Sequence, residues 1–488
     1  MNDHFKTPFG SKLYMKRTTL IRCNLNYISV ALFYLFLSFI PLTSVYAESK
    51  PNVIVIYADD LGYGDLACFG HPTIKTPHLD QMAAEGMKFT QFYSAAPVCT
   101  PSRAALLTGR YPIRSGMCSD KRRVLFPDSG GGIPASEITL AEALKETGYK
   151  TACVGKWHLG HLPQFLPTSN GFDSYYGIPY SNDMDRVAEG KLGRAIFLKP
   201  EVKYWNVPLM RDTNVIERPA DQTTITRRYT EEAVKFIKEN QKQPFYLYLA
   251  HSMPHVPLFR SKEFEDKSLR GLYGDVIEEI DWSVGQVLQE LRDQGLDQNT
   301  IVWFSSDNGP WLIFNQQGGS AGLLRDGKGS TWEGGMREPT LAWWPGHIPS
   351  GSVSQELGST MDIFTTSIKL AGGTVPTDRV IDGVDLTPVL TETDHSPRNE
   401  MAYYRGTKLM AYRKGPWKAH FITKPAYGKE PFQEHKPPVL YHLEHDPSEK
   451  YDVAKDHPDV IKELLAAAEA HQKTVKPVPS QLEIPLAK

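Results

Sequence analysis

From about residue 50 to residue 390 the chain alternates short apolar runs with longer segments whose apolar positions recur every three to four residues. Val53–Ala58 is continuous, apolar and β-branched, the pattern of a strand buried on both faces. Lys150–Val154, Phe245–Ala250, Thr300–Ser305 and Leu341–Trp344 repeat it. The helical segments between them carry their own boundary signals. Thr76-Pro77 offers an N-cap with proline at the first helical position, and Gly86 ends that segment. Thr139, with Glu142 three residues on, reads as a capping box, and Gly148 is the stop. Tyr229–Asn240, Asp275–Gln294 (ended by Gly295) and Met361–Leu370 are further helices. Such alternation predicts an α/β fold: a mixed, mostly parallel sheet flanked by helices.

The pattern changes near residue 390. Met401–Tyr404, Leu409–Arg413 and Trp417–Thr423 are short, alternating and hairpin-like. A polar, proline-rich loop (Lys424–Pro438), a strand (Val439–Leu443), a helix (Pro458–Thr474) and an extended tail (Val475–Lys488) follow. The segment 390–488 is expected to be a small C-terminal α+β domain with an antiparallel sheet, behind an N-terminal catalytic domain over 48–389.

Residues 1–47 read as a secretory signal. Lys6, Lys12, Lys16, Arg17 and Arg22 face one acid, Asp3; an apolar run spans Tyr27–Ile40; Val45-Tyr46-Ala47 suits a signal peptidase. The run is short for a bilayer span, so no stable membrane insertion is expected after cleavage. The net charge of −2 gives no electrostatic footprint for nucleic acid. Once Cys23 leaves with the signal, Cys68, Cys99, Cys118 and Cys153 remain, too sparse for a disulfide framework. There is no Asn-x-Ser/Thr acceptor.

In open α/β sheets, ligands sit beyond the carboxyl ends of the strands. Asp59-Asp60, Lys156 with His158, His251 with His255, and Asp307-Asn308 all follow predicted strands. Three converging carboxylates would repel one another unless a divalent cation joined them, and an all-oxygen set selects a hard ion, Ca²⁺ or Mg²⁺. Arg103, Lys156, His158, His255 and Lys328 would form a cationic pocket for a tetrahedral oxyanion if they converge. Gly322–Gly329 resembles a phosphate-binding loop, but Gly329 stands where a hydroxyl must follow the lysine, and no strand precedes it. Cys99 opens Cys99-Thr100-Pro101-Ser102-Arg103, a thiol at a loop-to-helix junction with Pro101 near the helix start.

Cys-x-Pro-Ser-Arg followed by Leu107-Thr108-Gly109 resembles the signature of the type I, formylglycine-dependent sulfatases. Asp59-Asp-Leu-Gly-Tyr-Gly-Asp65, Gly155-Lys-Trp-His-Leu-Gly160, Gly177-Ile-Pro-Tyr-Ser-Asn182, Ser306-Asp-Asn-Gly-Pro310 and Gly327–Pro339 extend the likeness over nearly the whole mature chain, most closely to the arylsulfatase A-like branch and its bacterial relatives. The resemblance implies an alkaline-phosphatase-like fold. It also implies formylglycine made from Cys99 by a maturation enzyme, the hydrated aldehyde serving as nucleophile. By motif, Asp59, Asp60, Asp307 and Asn308, with residue 99, match Ca²⁺ ligands. Arg103 matches the residue supporting the hydrate, and Lys156, Ser181, His255 and Lys328 match sulfate contacts. Asp307 would accept the nucleophile's proton, His255 or Lys328 would protonate the leaving alcohol, and His158 would act as the later base.

The expected function is thus a sulfuric ester hydrolase of the arylsulfatase type, acting on a sulfated carbohydrate or an aryl sulfate. The economy of cysteines, the missing glycosylation acceptors and the signal point to an exported bacterial enzyme, periplasmic or secreted. A phosphomonoester or phosphonate hydrolase of the same superfamily, and a non-catalytic sulfated-glycan-binding protein, are the alternatives. Lys121, Arg122, Arg123, Arg186, Lys191 and Arg194 are candidates to meet further sulfates on a polymer, and Asp185, Arg211 and Trp311 are further candidates in the leaving-group loops.

Overall fold

The computed structural model describes residues 50–191 and 193–486, so residues 1–47, expected to be a signal, lie outside the described residues. The central sheet has ten strands: β1 (Asn52–Ala58), β2 (Met87–Phe89), β3 (Lys150–Gly155), β4 (Ser174–Gly177), β5 (Leu209–Arg211), β6 (Asn214–Glu217), β7 (Phe245–Ala250), β8 (Thr300–Ser306), β9 (Thr340–Trp343) and β10 (Ser352–Ser354). Their order is β10-β2-β9-β8-β1-β7-β3-β4-β5-β6. The run β8-β1-β7-β3-β4 is parallel. β9 lies antiparallel between β8 and β2, and β5 and β6 close the far edge antiparallel. The five strands read from the sequence include the four at the centre of the sheet. The short strands β2, β4, β5, β6 and β10 were not legible there, because they add to an existing template and carry little pattern of their own.

Both faces of the sheet are covered, as continuous apolar strands require. Ile54 and Ile56 pack on one side with helices α1 (Pro77–Glu85), α4 (Ile225–Glu239) and α5 (Leu272–Asp293). Val53, Val55 and Tyr57 pack on the other with α2 (Cys99–Thr108), α3 (Leu140–Glu146) and α6 (Thr360–Leu370). The Thr139–Glu142 capping box is present in both directions, a motif that stabilises a helix by about 1 kcal/mol. Thr76 caps α1 by position only, with no side-chain bond to the helix amides; its hydroxyl instead donates to Asp80 Oδ1 at 3.1 Å.

The C-terminal sheet is the antiparallel meander β11 (Glu400–Arg405), β12 (Lys408–Lys414), β13 (Trp417–Thr423) and β14 (Gln433–His442), with α7 (Pro458–Thr474) against it. The loop expected over Lys424–Pro438 is shorter than that: β14 starts at Gln433, because Gln433 and Glu434 pair with Thr423 and Ile422 across an irregularity in the register. The tail is not purely extended. Gln481–Glu483 forms a turn of 3-10 helix, Leu482 is fully buried, and Gly130 donates to the Ile484 carbonyl at 2.8 Å. Cys68, Cys99, Cys118 and Cys153 are all unpaired thiols. No helix among the described residues is long and apolar enough to cross a membrane.

Candidate active site

Strand register brings the strand ends together. Ala58 pairs with Ser306, and Ala250 with both Tyr57 and Gly155. Asp59, Asp307 and Lys156, the next residue along each of three strands, therefore leave the sheet at one level. The Asp307 amide donates to the Ala58 carbonyl at 3.1 Å and the Lys156 amide to the Ala250 carbonyl at 2.7 Å. Gly155 permits this approach: its φ is +113°, and a Cβ there would lie 1.8 Å from the Ala250 carbonyl oxygen. His251 is the exception. It stays on the sheet's flank, where its Nε2 meets Ser283 Oγ at 3.3 Å, and takes no part in the site.

Cys99 is the first residue of α2, with Val98 as an extended N-cap and Pro101 third in the helix. All ten residues of α2 are buried, which places the motif deeper than a loop-to-helix junction suggests. One turn on, Arg103 is completely buried and donates through Nε to Asp307 Oδ2 at 3.0 Å and through Nη1 to the Lys156 carbonyl at 3.0 Å. Its Nη2 lies 2.9 Å from Asp307 Oδ2 and 3.6 Å from Asp59 Oδ1. Arg103 thus ties two strand ends to the helix that carries Cys99.

Lys156 donates to Asp59 Oδ2 and lies 3.3 Å from Ser181 Oγ. Lys328 Nζ donates to Asp60 Oδ2 at 2.8 Å, stands 3.6 Å from Cys99 Sγ, and sits over the Trp311 ring at 4.2 Å. His255 directs Nδ1 to the Val256 carbonyl at 2.6 Å and Asn182 Oδ1 at 3.0 Å, so Nδ1 carries the hydrogen; Nε2 faces Asp60 Oδ2 at 3.7 Å and Ser181 Oγ at 3.5 Å. His158 donates through Nε2 to the Leu125 carbonyl at 2.9 Å, and its buried Nδ1 has no partner. Asp59, Asp60, Cys99, Arg103, Lys156, His158, Ser181, His255, Asp307, Asn308 and Lys328 therefore converge, and His251 does not. Asn182 is an addition; it orients His255 and gave no sequence signal beyond its place in the Ser181-Asn182 loop.

Electrostatics follow from burial. Burial alone would raise the Asp59 carboxyl, but Lys156, His255 and Arg103 hold it well below the ordinary range. Asp60 is pushed up to about 7 by burial and by its neighbours Asp59 and Asp307, against the pull of Lys328. Asp307 is raised to about 6 by burial and Asp59, with Arg103 opposing. Burial first, and then Lys156 for His158 and Lys328 for His255, push both imidazoles well below their usual value. Burial likewise pushes the Cys99 thiol well above its usual value, against the pull of Lys156 and Lys328.

The carboxylate oxygens of Asp59 and Asp60, beside the Asn308 carbonyl, suit a hard divalent cation. Ligating atoms of Asp59, Asp60, Cys99 and His255 lie within 4.8 Å of one another. Asn308 donates Nδ2 to Asp60 Oδ1 at 2.7 Å, while its buried Oδ1 has no donor, an orphan acceptor of the kind that a metal ion satisfies. Asp307 sits at the edge of this group, with Oδ2 on Arg103 and Oδ1 on the Asp60 amide.

Beyond Cys99 opens a cavity of about 350 Å³, lined among others by His158, Ser181, His255, Lys328, Trp311, Arg123 and Tyr427. Tyr427 comes from the polar loop of the C-terminal sheet. Its role on the cavity wall is set by tertiary packing alone.

The family model described as Sulfatase matches residues 51–373, and that described as C-terminal region of aryl-sulfatase matches residues 396–486. The chain belongs to the sulfatase family. It is 43% identical over 479 residues to N-acetylgalactosamine-6-sulfatase of Canis lupus familiaris, covering 90% of this chain and 89% of that protein. It is 42% identical over 448 residues to arylsulfatase A of Homo sapiens, covering 85% and 86%. Among solved structures it resembles the PsFucS1 sulfatase from Pseudoalteromonas sp. (TM-score 0.78, 30% identity, 90% of this chain and 92% of that one). It also resembles Ps i-CgsB in complex with k-i-k-neocarrahexaose (TM-score 0.75, 31% identity, 90% and 96%). This sulfatase is accordingly a sulfuric ester hydrolase with an alkaline-phosphatase-like catalytic fold.

Proposed function

We propose that this sulfatase removes sulfate from a sulfated carbohydrate, with formylglycine formed from Cys99 by a maturation enzyme and with Ca²⁺ as its metal. The observation that carries the reading is the convergence of Cys99, three buried carboxylates and two buried lysines at one end of the parallel strands. The names of the similar proteins, two of which concern glycans, support the substrate class.

Asp59, Asp60, Asp307 and the Asn308 carbonyl, with residue 99, would hold the cation, which when bound supplies charge neutralisation for the sulfate oxygens. Formylglycine at position 99 supplies a hydrated aldehyde as nucleophile. Arg103 fixes Asp307 beside position 99, and Asp307, its pKa raised, accepts the nucleophile's proton. Lys156, Ser181, His255 and Lys328 orient the sulfate and offset its charge. Burial works against the charge on Lys328, but Asp60 and the other acidic neighbours together raise its pKa well above the usual value, so it keeps its proton and stands ready, with His255 beside it, as donor to the leaving oxygen. His158, neutral and with a free Nδ1, is suited to take a proton later in the cycle.

In the same reading residues 1–47 are a cleaved signal, 48–389 the catalytic domain and 390–488 the C-terminal domain of an exported, periplasmic or secreted bacterial enzyme. The test is sulfate release from an aryl sulfate, sulfated galactans and fucans, and glycosaminoglycan disaccharides, by protein made beside a maturation enzyme. Cys99→Ala and Cys99→Ser should lose multiple turnover. Sustained turnover by Cys99→Ser would refute the need for a second hydroxyl, and release of phosphate but not sulfate would promote the phosphoester alternative.

A further inference from the structure

A second cavity, about 230 Å³, adjoins the first; Val98 and Arg123 line both. Four of its lining residues are cationic (Lys121, Arg123, Arg405 and Lys424) and one is acidic, Asp120. Asp120 is already committed to Thr407, accepting from its amide at 2.9 Å and its hydroxyl at 2.7 Å. Lys121 has Glu483 at 2.9 Å. Among the described residues the other three cations meet no carboxylate within ion-pair distance. Arg123 donates to the Ala426 carbonyl at 2.9 Å and lies over the Tyr427 ring at 4.6 Å. Arg405 donates to the carbonyls of Pro425 and Ala426 at 2.9 and 3.1 Å. Lys424 lies over the exposed Phe432 ring at 4.6 Å. Arg405 is lowered to about 10 by burial and by the charge of Arg123. By contrast Arg122, Arg186 and Arg211, which line neither cavity, are paired with Asp128, Asp183 and Glu232.

Three unpaired cations gathered in a recess lack the counter-charge that a purely structural cluster would include. We propose that Arg123, Arg405 and Lys424 form a subsite for a second anionic group, a sulfate or a carboxylate, on the sugar next to the one whose sulfate ester lies against Lys328. The inference rests on the reading of the first cavity as the ester site. It assigns the C-terminal sheet a part in substrate choice, since Arg405 and Lys424 both belong to it or border it.

The experiment compares 4-nitrophenyl sulfate, galactan disaccharides with one sulfate or with a second on the neighbouring ring, and a chondroitin disaccharide whose neighbour is a uronate. Each is measured with the wild type, Lys424→Gln, Arg405→Gln and Arg405→Lys. A functioning subsite gives the wild type a kcat/KM at least tenfold higher on a doubly charged disaccharide than on the singly charged one. Lys424→Gln and Arg405→Gln erase that preference through KM, with 4-nitrophenyl sulfate within about twofold, and Arg405→Lys restores part of it. The sulfate and uronate arms tell which anion the recess prefers. Equal losses on every substrate, or an unchanged preference in the glutamine variants, overturn the subsite. Calorimetry with Cys99→Ala protein and the disulfated disaccharide gives a readout free of turnover: binding that the Lys424→Gln change leaves unaltered also overturns it. Sulfate release from none of the substrates by wild type carrying formylglycine would instead bring down the underlying functional reading.

Discussion

Lys418, in the C-terminal sheet, places its ammonium 2.9 Å from Glu333 Oε1 with both side chains fully buried. Glu449 completes the arrangement at 3.0 Å, and Tyr93 donates to Glu333 Oε2 at 2.6 Å. Burial works against the charge on Glu333, but Lys418, Arg337 and Arg413 hold its pKa down to about 2. Glu333 lies five residues beyond Lys328, so the C-terminal sheet braces the segment that carries Lys328. Lys418→Met leaves two carboxylates without their shared cation and should cost about 3–5 kcal/mol. Chemical denaturation reads the loss, and a variant as stable as the parent would show the pair to be incidental.

His251 should make the fold acid-sensitive. It is completely buried, and burial lowers its pKa to about 4 from the ordinary 6.5. The unfolded chain therefore binds the proton first. Stability from this residue is full above pH 6.5 and is lost as pH falls toward 4. The melting temperature measured across that window should drop with a steeper slope than in His251→Gln, which keeps a polar side chain but does not titrate. Parallel slopes would exclude His251.

Calcium should stabilise the protein through Asp59, Asp60 and Asn308. A ligand present at one hundred times its Kd adds about 2.7 kcal/mol. Thermal unfolding after chelation and re-addition should recover that increment in the parent and little of it in Asp59→Asn. An equal calcium shift in both proteins would place the ion elsewhere.

Gly155→Ala should damage both fold and site. The methyl group meets the Ala250 carbonyl at 1.8 Å and a φ of +113°. Left-handed strain and overpacking together amount to roughly 2–4 kcal/mol. Because Lys156 follows directly, sulfate release should fall by more than stability alone explains, with KM rising. Full activity at reduced stability would uncouple the two.

The large elements were legible because their pattern matches their burial. β1 and β7 are apolar on both faces, and Thr139–Glu142 carries a complete cap. The strand-end acids were legible because parallel strands deliver their next residues to one edge, and Cys99 with Arg103 because they stand in a short motif that opens a helix. His251 shows where that logic ends: it too follows a strand, but its packing against Ser283 turns it away. Tyr427, Asn182 and Arg405 gave no signal, since each matters only through partners distant in sequence. The edge strands β4 to β6 were missed for the same reason.

Asp59 and Asp307 become neighbours only when β1 and β8 zip, a closure that joins Ala58 to Ser306. That gives the protein a timetable. In the folded chain, with β1 and β8 paired, Cys99 is only 2% exposed. On the proposed reading, an enzyme that oxidised residue 99 would have to reach a side chain that the folded chain hides, so its natural substrate would be the chain before this closure.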